Sequence, residues 1–139
     1  MNDYIKILFV ILVLISYNTS FAQLCSPSKF IANSNEPKIF SNNNDLTGTI
    51  EGVDIILELN ILNSDCELLK NTIVYLWQSN QNAAIATSDQ FGMVKFKVTI
   101  NKEYPLVYLK IIYEDIEFFT EVNVTEKKEH YKFNLVIKK

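Results

Sequence analysis

Few side chains in this 139-residue chain could do catalytic or metal chemistry. The chain has one histidine, His130, two cysteines, Cys25 and Cys66, and no arginine, since all 13 basic residues are lysines. A single imidazole excludes mechanisms that need two, and no Gly-x-Ser-x-Gly sequence is present to support a Ser–His–Asp triad. Two cysteines and one distant histidine are also too few ligands for a zinc site.

The N-terminus has the pattern of a secretory signal peptide. Lys6 precedes the apolar run Ile7 to Ile15, and Ser20-Phe21-Ala22 supplies small residues before a cut between Ala22 and Gln23. Nine apolar residues span only about 13 Å of helix, far short of a bilayer, so a membrane anchor is the less favoured alternative. We predict a signal peptide over residues 1–22 and an exported chain that is periplasmic, at the cell surface or extracellular. No segment of that mature chain is apolar enough to span a membrane.

Export would place the two cysteines in an oxidising compartment, where they are expected to be paired. An even pair in an oxidising compartment suggests a disulfide between Cys25 and Cys66, which would tie an N-terminal arm to the body of the domain. One alternative is two unpaired thiols, one exposed and one buried. Another is lipidation of Cys25, although Leu24 stands where lipoprotein signals have a small residue.

Charge and size narrow the class of protein. Removal of 22 of the 139 residues leaves 117, which is enough for one domain with a core and too few for two. The net charge is −3, and hydrophobic residues make up 48% of the chain. An acidic chain without arginine is a poor match for nucleic acid, because phosphate binding needs a basic face. We therefore expect no nucleic-acid partner.

The mature sequence has the spacing of short strands. Residues 23–45 are polar and rich in Ser and Asn, which favours a loop-like arm. Residues 46–139 contain seven or so β-type runs, separated by turn sequences such as Asp89-Gln90-Phe91-Gly92. These runs are Ile55–Ile61, Ile73–Trp77, Ile85–Thr87, Val94–Ile100, Leu106–Tyr113, Ile116–Val124 and Tyr131–Ile137. The pattern predicts an all-β, antiparallel β-sandwich of about seven strands.

Several other side chains have two interpretations. Trp77 could stack on a sugar, but its place at the end of an apolar strand favours packing. Cross-strand packing is likewise favoured over an aromatic surface for Tyr104, Tyr108 and Tyr113. At a charged turn, His130 is expected to be solvated. An acidic run follows no Ca²⁺-loop spacing and is expected to be a solvated edge. Its members are Glu114, Asp115, Glu117 and Glu121.

Two stretches carry a more specific signal. One runs from Asp65-Cys66-Glu67 to the strand end Tyr75-Leu76-Trp77-Gln78, and the other is Thr87-Ser88-Asp89-Gln90-Phe91-Gly92 with the alternating strand after it. With the Tyr104-Pro105 turn and an upstream arm that contains Glu36-Pro37, they resemble the intradiol ring-cleavage dioxygenases. The resemblance covers most of residues 25–113.

That resemblance implies a β-sandwich with a ferric iron held by two tyrosines and two histidines, which cleaves catechols with O₂. In this chain the tyrosine of the Gly-x-Tyr-x-Phe block falls on Val94, and the His-x-His pair falls on Tyr108 and Lys110. The loop Gln78 to Ile85 holds no second tyrosine, and the family's arginine has no counterpart. Because ferric iron needs phenolate and imidazole in a fixed geometry, we expect no cofactor and no iron site.

Three hypotheses follow from these observations. The first is an exported, catalytically inactive dioxygenase-like sandwich, a pseudoenzyme, that acts as a binding or structural module with a protein or glycan partner. The second is an active iron(III) dioxygenase with a rearranged site that uses Tyr104, Tyr108 and His130. The third is a transthyretin-like or adhesin-like surface module whose resemblance to dioxygenases reflects shared strand geometry alone.

Overall fold

The computed structural model describes residues 25–32, 36–37, 43–48, 50–78, 83–125 and 128–138. The predicted signal peptide, with its cleavage site between Ala22 and Gln23, lies outside these residues. None of the described residues forms a helix of the length and apolarity that a bilayer crossing requires.

Eight strands form two sheets. They are β1 (Asp45–Leu46), β2 (Val53–Asn63), β3 (Ile73–Trp77), β4 (Ala83–Thr87), β5 (Met93–Ile100), β6 (Leu106–Tyr113), β7 (Ile116–Asn123) and β8 (His130–Ile137). Sheet I has the order β1-β5-β2-β8, and sheet II has the order β4-β3-β6-β7. The prediction of an all-β sandwich is confirmed, and all seven predicted runs form strands.

Two features of the pairing differ from the prediction. The added strand, β1, is only two residues long and begins at Asp45, inside the stretch expected to be loop. Both β1–β5 and β2–β8 pair in parallel, and the other pairs are antiparallel. Because parallel partners lie far apart in sequence, local turn signals could not reveal them.

Strand alternation places the core between the sheets. On β2, Ile55, Leu57, Leu59 and Ile61 point inward, and β5 contributes Val94, Phe96, Val98 and Ile100. The outward positions of both strands carry most of the charged side chains, among them Lys95 and Lys97, which are exposed. This period of two is the one that the sequence predicts, since successive strand residues face opposite sides.

The predicted turn before β5 also forms. The Asp89 carboxylate accepts hydrogen bonds from the backbone amides of Phe91 and Met93, at 2.8 and 3.0 Å. Gly92 has a φ of +69°, in the left-handed region that favours glycine. The turn therefore fixes where β5 starts.

The N-terminal arm is fastened to the sandwich. A disulfide joins Cys25 to Cys66 with a Cα–Cα distance of 5.2 Å, as predicted. Further along, Ile31 forms an antiparallel bridge with Phe119, and its backbone amide donates to the Phe119 carbonyl at 2.8 Å. The arm thus extends sheet II at the β7 edge for a short distance.

Candidate functional site

The three predicted ligand positions lie on two strands in different sheets. Val94 is near the start of β5 and is 1% exposed in the core between the sheets. Tyr108 and Lys110 are on β6, whose intervening residues Val107 and Leu109 point into that core. Tyr108 and Lys110 therefore face the opposite side of sheet II, its outer face.

Val94 and Tyr108 also lie at opposite ends of the sandwich. Val94 is two residues after Gly92, whose carbonyl accepts from Ile61 near the end of β2. Tyr108 is paired with Trp77, and the neighbouring Gln78 side chain donates to the Thr99 carbonyl near the other end of β5. The structure does not bring these positions together, so no single ion can contact all three.

Lys110 occupies the outer face of sheet II as a partly buried cation. Its side chain is 11% exposed, and its Nζ donates to Glu36 Oε2 at 2.7 Å. The Nζ also lies 3.9 Å from Glu117 Oε1 and 4.6 Å from the centre of the Tyr75 ring. A carboxylate from the arm and an aromatic face therefore hold the Lys110 ammonium in place.

Trp77 and Tyr108 form a stacked pair beside Lys110. Their ring centroids are 6.0 Å apart with an interplanar angle of 22°, and Trp77 is 2% exposed. Phe119 and Ala83 pack in the same cluster, and Ile31 of the arm lies against it. Packing of Trp77 is therefore confirmed, and a sugar could not reach its ring face without displacing these neighbours.

For the remaining aromatic and acidic residues, the structure agrees with some of the predictions and contradicts one. Tyr113 packs against the core, but Tyr104 is 70% exposed, so the packing expected of Tyr104 is wrong. Tyr104 stands in the β5–β6 loop, where no neighbouring strand covers it. The acidic residues after β6 are exposed, which agrees with a solvated edge. Across the described ranges, His, Cys, Asp and Glu form no group of three that could hold a metal ion.

A polar cluster on the outer face of sheet I was not predicted. Glu58 is 8% exposed, and its Oε2 lies 2.6 Å from His130 Nε2 and 3.9 Å from Lys132 Nζ. Lys95 is the cross-strand partner of Glu58. His130 is 43% exposed, so it is solvated as expected, but it is also paired with a carboxylate. The only signal for this pairing in the sequence is the alternation that turns Glu58 outward.

One carboxyl group has a shifted acidity. Thr47 donates to Asp45 Oδ1 from its hydroxyl at 2.6 Å and from its backbone amide at 3.0 Å. The hydroxyl bond, with the amide bond second, holds the pKa of Asp45 below its usual value of 3.8. Thr47 lies in the turn that directly follows β1.

Comparison with known proteins rests on structure alone. No family model and no curated protein matches the chain. The dioxygenase domain of a dioxygenase–carbohydrate-binding protein fusion from Streptomyces sp. SirexAA-E superposes with a TM-score of 0.68 at 11% identity, over 81% of this chain and 99% of that one.

Two further solved structures agree with this result. The intradiol ring-cleavage dioxygenase from Tetranychus urticae has a TM-score of 0.62 at 14% identity, over 71% of this chain and 65% of that one. Chlorocatechol 1,2-dioxygenase from Pseudomonas putida has a TM-score of 0.61 at 11% identity, over 91% of this chain and 77% of that one. Identities this low show the fold alone. The chain therefore has the β-sandwich fold of the intradiol ring-cleavage dioxygenases.

Proposed function

We propose that this protein is an exported, non-catalytic domain with a dioxygenase fold, which acts as a binding or structural module. The observation that carries the proposal is the environment of Lys110. Its ammonium is paired with Glu36 at 2.7 Å on the strand face where the resemblance implies an imidazole. A fixed positive charge repels a metal cation, so this face disfavours ferric iron.

The proposal still holds if the two expected histidine positions are shifted by one residue along β6. If the inward positions were the ligand positions instead, they would be Val107 and Leu109, both 0% exposed in the core. Neither side chain has a lone pair to offer a metal. Both faces of β6 therefore lack imidazole, and Val94 offers no phenolate in β5.

A rearranged iron site is the enzymatic alternative. Its members would be Tyr104, Tyr108 and His130. Tyr108 lies on the outer face of sheet II, whereas His130 lies on the outer face of sheet I, beside Glu58. The whole thickness of the sandwich separates them, so they cannot share one ion.

The third hypothesis, a transthyretin-like or adhesin-like module, also describes a binding module without an iron site. It differs from the first hypothesis because it attributes the resemblance to dioxygenases to shared strand geometry and not to common descent. It is favoured if residues 87–113 do not form strand, turn and strand around Tyr104-Pro105. They do form β5, a loop and β6. This arrangement, together with the dioxygenase neighbours, supports the first hypothesis.

Export is part of the proposal. The Cys25–Cys66 disulfide supports an oxidising compartment, and the N-terminal sequence pattern supports a signal peptide. A protein or glycan partner outside the cytoplasm fits a chain with these features, and the net charge of −3 argues against nucleic acid. Sequencing the N-terminus of the exported protein should give Gln23 as its first residue. An intact Met1 would contradict cleavage.

Turnover of catechol under air tests the loss of catalysis. The purified chain, supplied with iron, should consume no O₂ above the rate of iron alone and should form no ring-opened product. An active intradiol dioxygenase assayed in parallel gives the positive control. Ring-opened product that increases in proportion to this protein would overturn the proposal.

A further inference from the structure

We propose that one end of the sandwich docks a protein partner whose contact surface is cationic and apolar. Two large apolar side chains are exposed there. Leu68, in the loop between β2 and β3, has 50% of its surface exposed, and Phe91, in the turn between β4 and β5, has 60%. The partner class rests on the binding role proposed above, whereas the loss of catalysis is tested separately by catechol turnover.

Gly92 brings this loop and this turn into contact. A Cβ atom on Gly92 would lie 3.1 Å from the Leu68 Cβ and 3.0 Å from the Leu69 nitrogen, and the glycine has a φ of +69°. The Ile61 amide donates to the Gly92 carbonyl at 2.9 Å, and the Leu69 amide donates to the Ile61 carbonyl at 2.9 Å. The absence of a side chain at Gly92 therefore lets the loop pack against the turn, and Leu68 and Phe91 come to the same end of the molecule.

Hydrogen bonds hold both segments in position. The Ser88 hydroxyl donates to the Leu69 carbonyl at 2.7 Å and accepts from the Thr72 amide at 2.8 Å. Ser88 and Thr72 are buried, and the Asp89 carboxylate caps the turn at the Phe91 amide. Because the backbone is fixed in both segments, a partner would not have to order them on binding.

Exposed apolar side chains are concentrated at this end. Among the described residues, six large hydrophobic side chains have more than a third of their surface exposed. Four of them lie here, namely Leu68, Ile73, Phe91 and Ile116, and Val53 and Tyr104 lie at the opposite end. Single exposed apolar residues are ordinary, but a concentration of them marks an interaction surface.

The charge at this end is negative. The β2–β3 loop, the β4–β5 turn and the β6–β7 turn carry five exposed acidic residues and one exposed lysine. They are Asp65, Glu67, Asp89, Glu114, Asp115 and Lys70. One more lysine, Lys138, follows β8, whose last residue pairs with Asn63 at the end of β2. Acidic residues thus outnumber lysines around the exposed apolar side chains.

This combination selects among the possible occupants. Two copies of the chain joined through this end, an anionic lipid surface or a nucleic acid would bring negative charge against negative charge. A glycan would leave the hydrocarbon of Leu68 and Phe91 poorly covered, whereas apolar side chains of a protein would bury it. A protein surface that carries Lys or Arg beside large apolar residues is complementary in both respects.

Peptide selection tests the class of partner. A random peptide display library would be selected on the immobilised protein after depletion on the double variant Leu68→Ser with Phe91→Ser. We expect the retained peptides to combine Lys or Arg with large apolar residues, because both features are complementary to this end. Retained peptides that are acidic or purely polar, or no peptide that distinguishes the protein from the double variant, would overturn the proposal.

The retained peptide with the highest affinity is the probe for single variants in titration calorimetry. Phe91→Ser and Leu68→Ser should each weaken its binding at least about tenfold, as expected for central apolar contacts. Tyr104→Ser removes a still more exposed ring at the opposite end and should leave the affinity unchanged. Full affinity in Phe91→Ser, or an equal loss in Tyr104→Ser, would contradict this docking surface. An amide spectrum of each variant shows that it is folded.

Charge variants test the sign of the surface. Lys70→Gln should strengthen binding of the same peptide about threefold and Asp65→Asn should weaken it about threefold, since each changes one exposed charge. Lys97→Gln, on the outer face of sheet I, should have no effect. Changes of the opposite sign would overturn the cationic class of partner. Sedimentation of the protein alone should show a monomer, and a dimer that dissociates in Phe91→Ser would identify a second copy as the occupant instead.

Discussion

At the scale of single residues, Lys110 and its neighbours determine what the outer face of sheet II can do. The side chain is 11% exposed and has a carboxylate 2.7 Å away, so its position is fixed. A lysine at this place could be noticed in the sequence, but its partner could not. Glu36 is 74 residues away along the chain, in an arm with no strand pattern. Only the fold brings the two groups together.

Lys110→Met should destabilise the domain, because Glu36 would lose its main partner while 72% of its side chain stays buried. We expect a loss of about 1–3 kcal/mol in the free energy of unfolding, below the range for fully buried pairs. Urea denaturation measures it. The double variant Glu36→Gln with Lys110→Met should regain part of the loss, and Lys70→Met at an exposed site should cost less than about 0.5 kcal/mol. Equal costs for Lys110→Met and Lys70→Met would show that the pair contributes nothing.

Asp45 should make the free energy of unfolding depend on pH in the acidic range. Its pKa is lower in the folded protein than in the unfolded chain, chiefly because the Thr47 hydroxyl donates to it. The ionised carboxylate therefore stabilises the fold above the unfolded pKa, and this contribution disappears as the pH falls through the folded pKa. In Thr47→Val, an NMR titration should find the Asp45 pKa closer to its usual value. The stability difference from the wild type should be larger at pH 6 than at pH 2. An unchanged Asp45 titration would contradict this assignment.

At the scale of elements, alternation of side chains is sufficient to predict β2 and β5 and their inward faces, but it does not predict β1. Val94, Phe96, Val98 and Ile100 share one side in the sequence and share the core in the structure. Long-range pairing was not predictable in the same way. The parallel alignment of β2 with β8 places Glu58 beside His130, which is 72 residues away. No local pattern encodes that proximity, so the Glu58–His130 pair was missed.

The disulfide should contribute much of the stability of the arm. Cys25 and Cys66 are 41 residues apart, and the chain-entropy relation gives about 4 kcal/mol for such a loop. The double variant Cys25→Ser with Cys66→Ser should lose about that much in urea denaturation. Hydrogen exchange at the Ile31 amide should also become faster, because the described part of the arm then keeps its noncovalent contacts with β7, β8 and Lys110 but loses its covalent link. A loss below about 1 kcal/mol would show that the arm is already fixed without the bond.

At the scale of the whole molecule, the two sheets separate the groups that could do chemistry. Tyr108 and Lys110 lie on the outer face of sheet II. His130, the only histidine in the sequence, lies on the outer face of sheet I, on the opposite side of the sandwich. A dioxygenase fold is thus present while the side chains implied for iron are dispersed or replaced. The disulfide-tied arm supports the proposal of a domain that works outside the cytoplasm.

Iron content, measured together with the absorption spectrum, tests this account most directly. The exported protein should be incubated with iron under air, passed through a desalting column and analysed for iron per chain. We predict far less than one iron per chain and no visible band from a phenolate–iron charge transfer. One iron per chain, with such a band that disappears in Tyr108→Phe, would contradict the account.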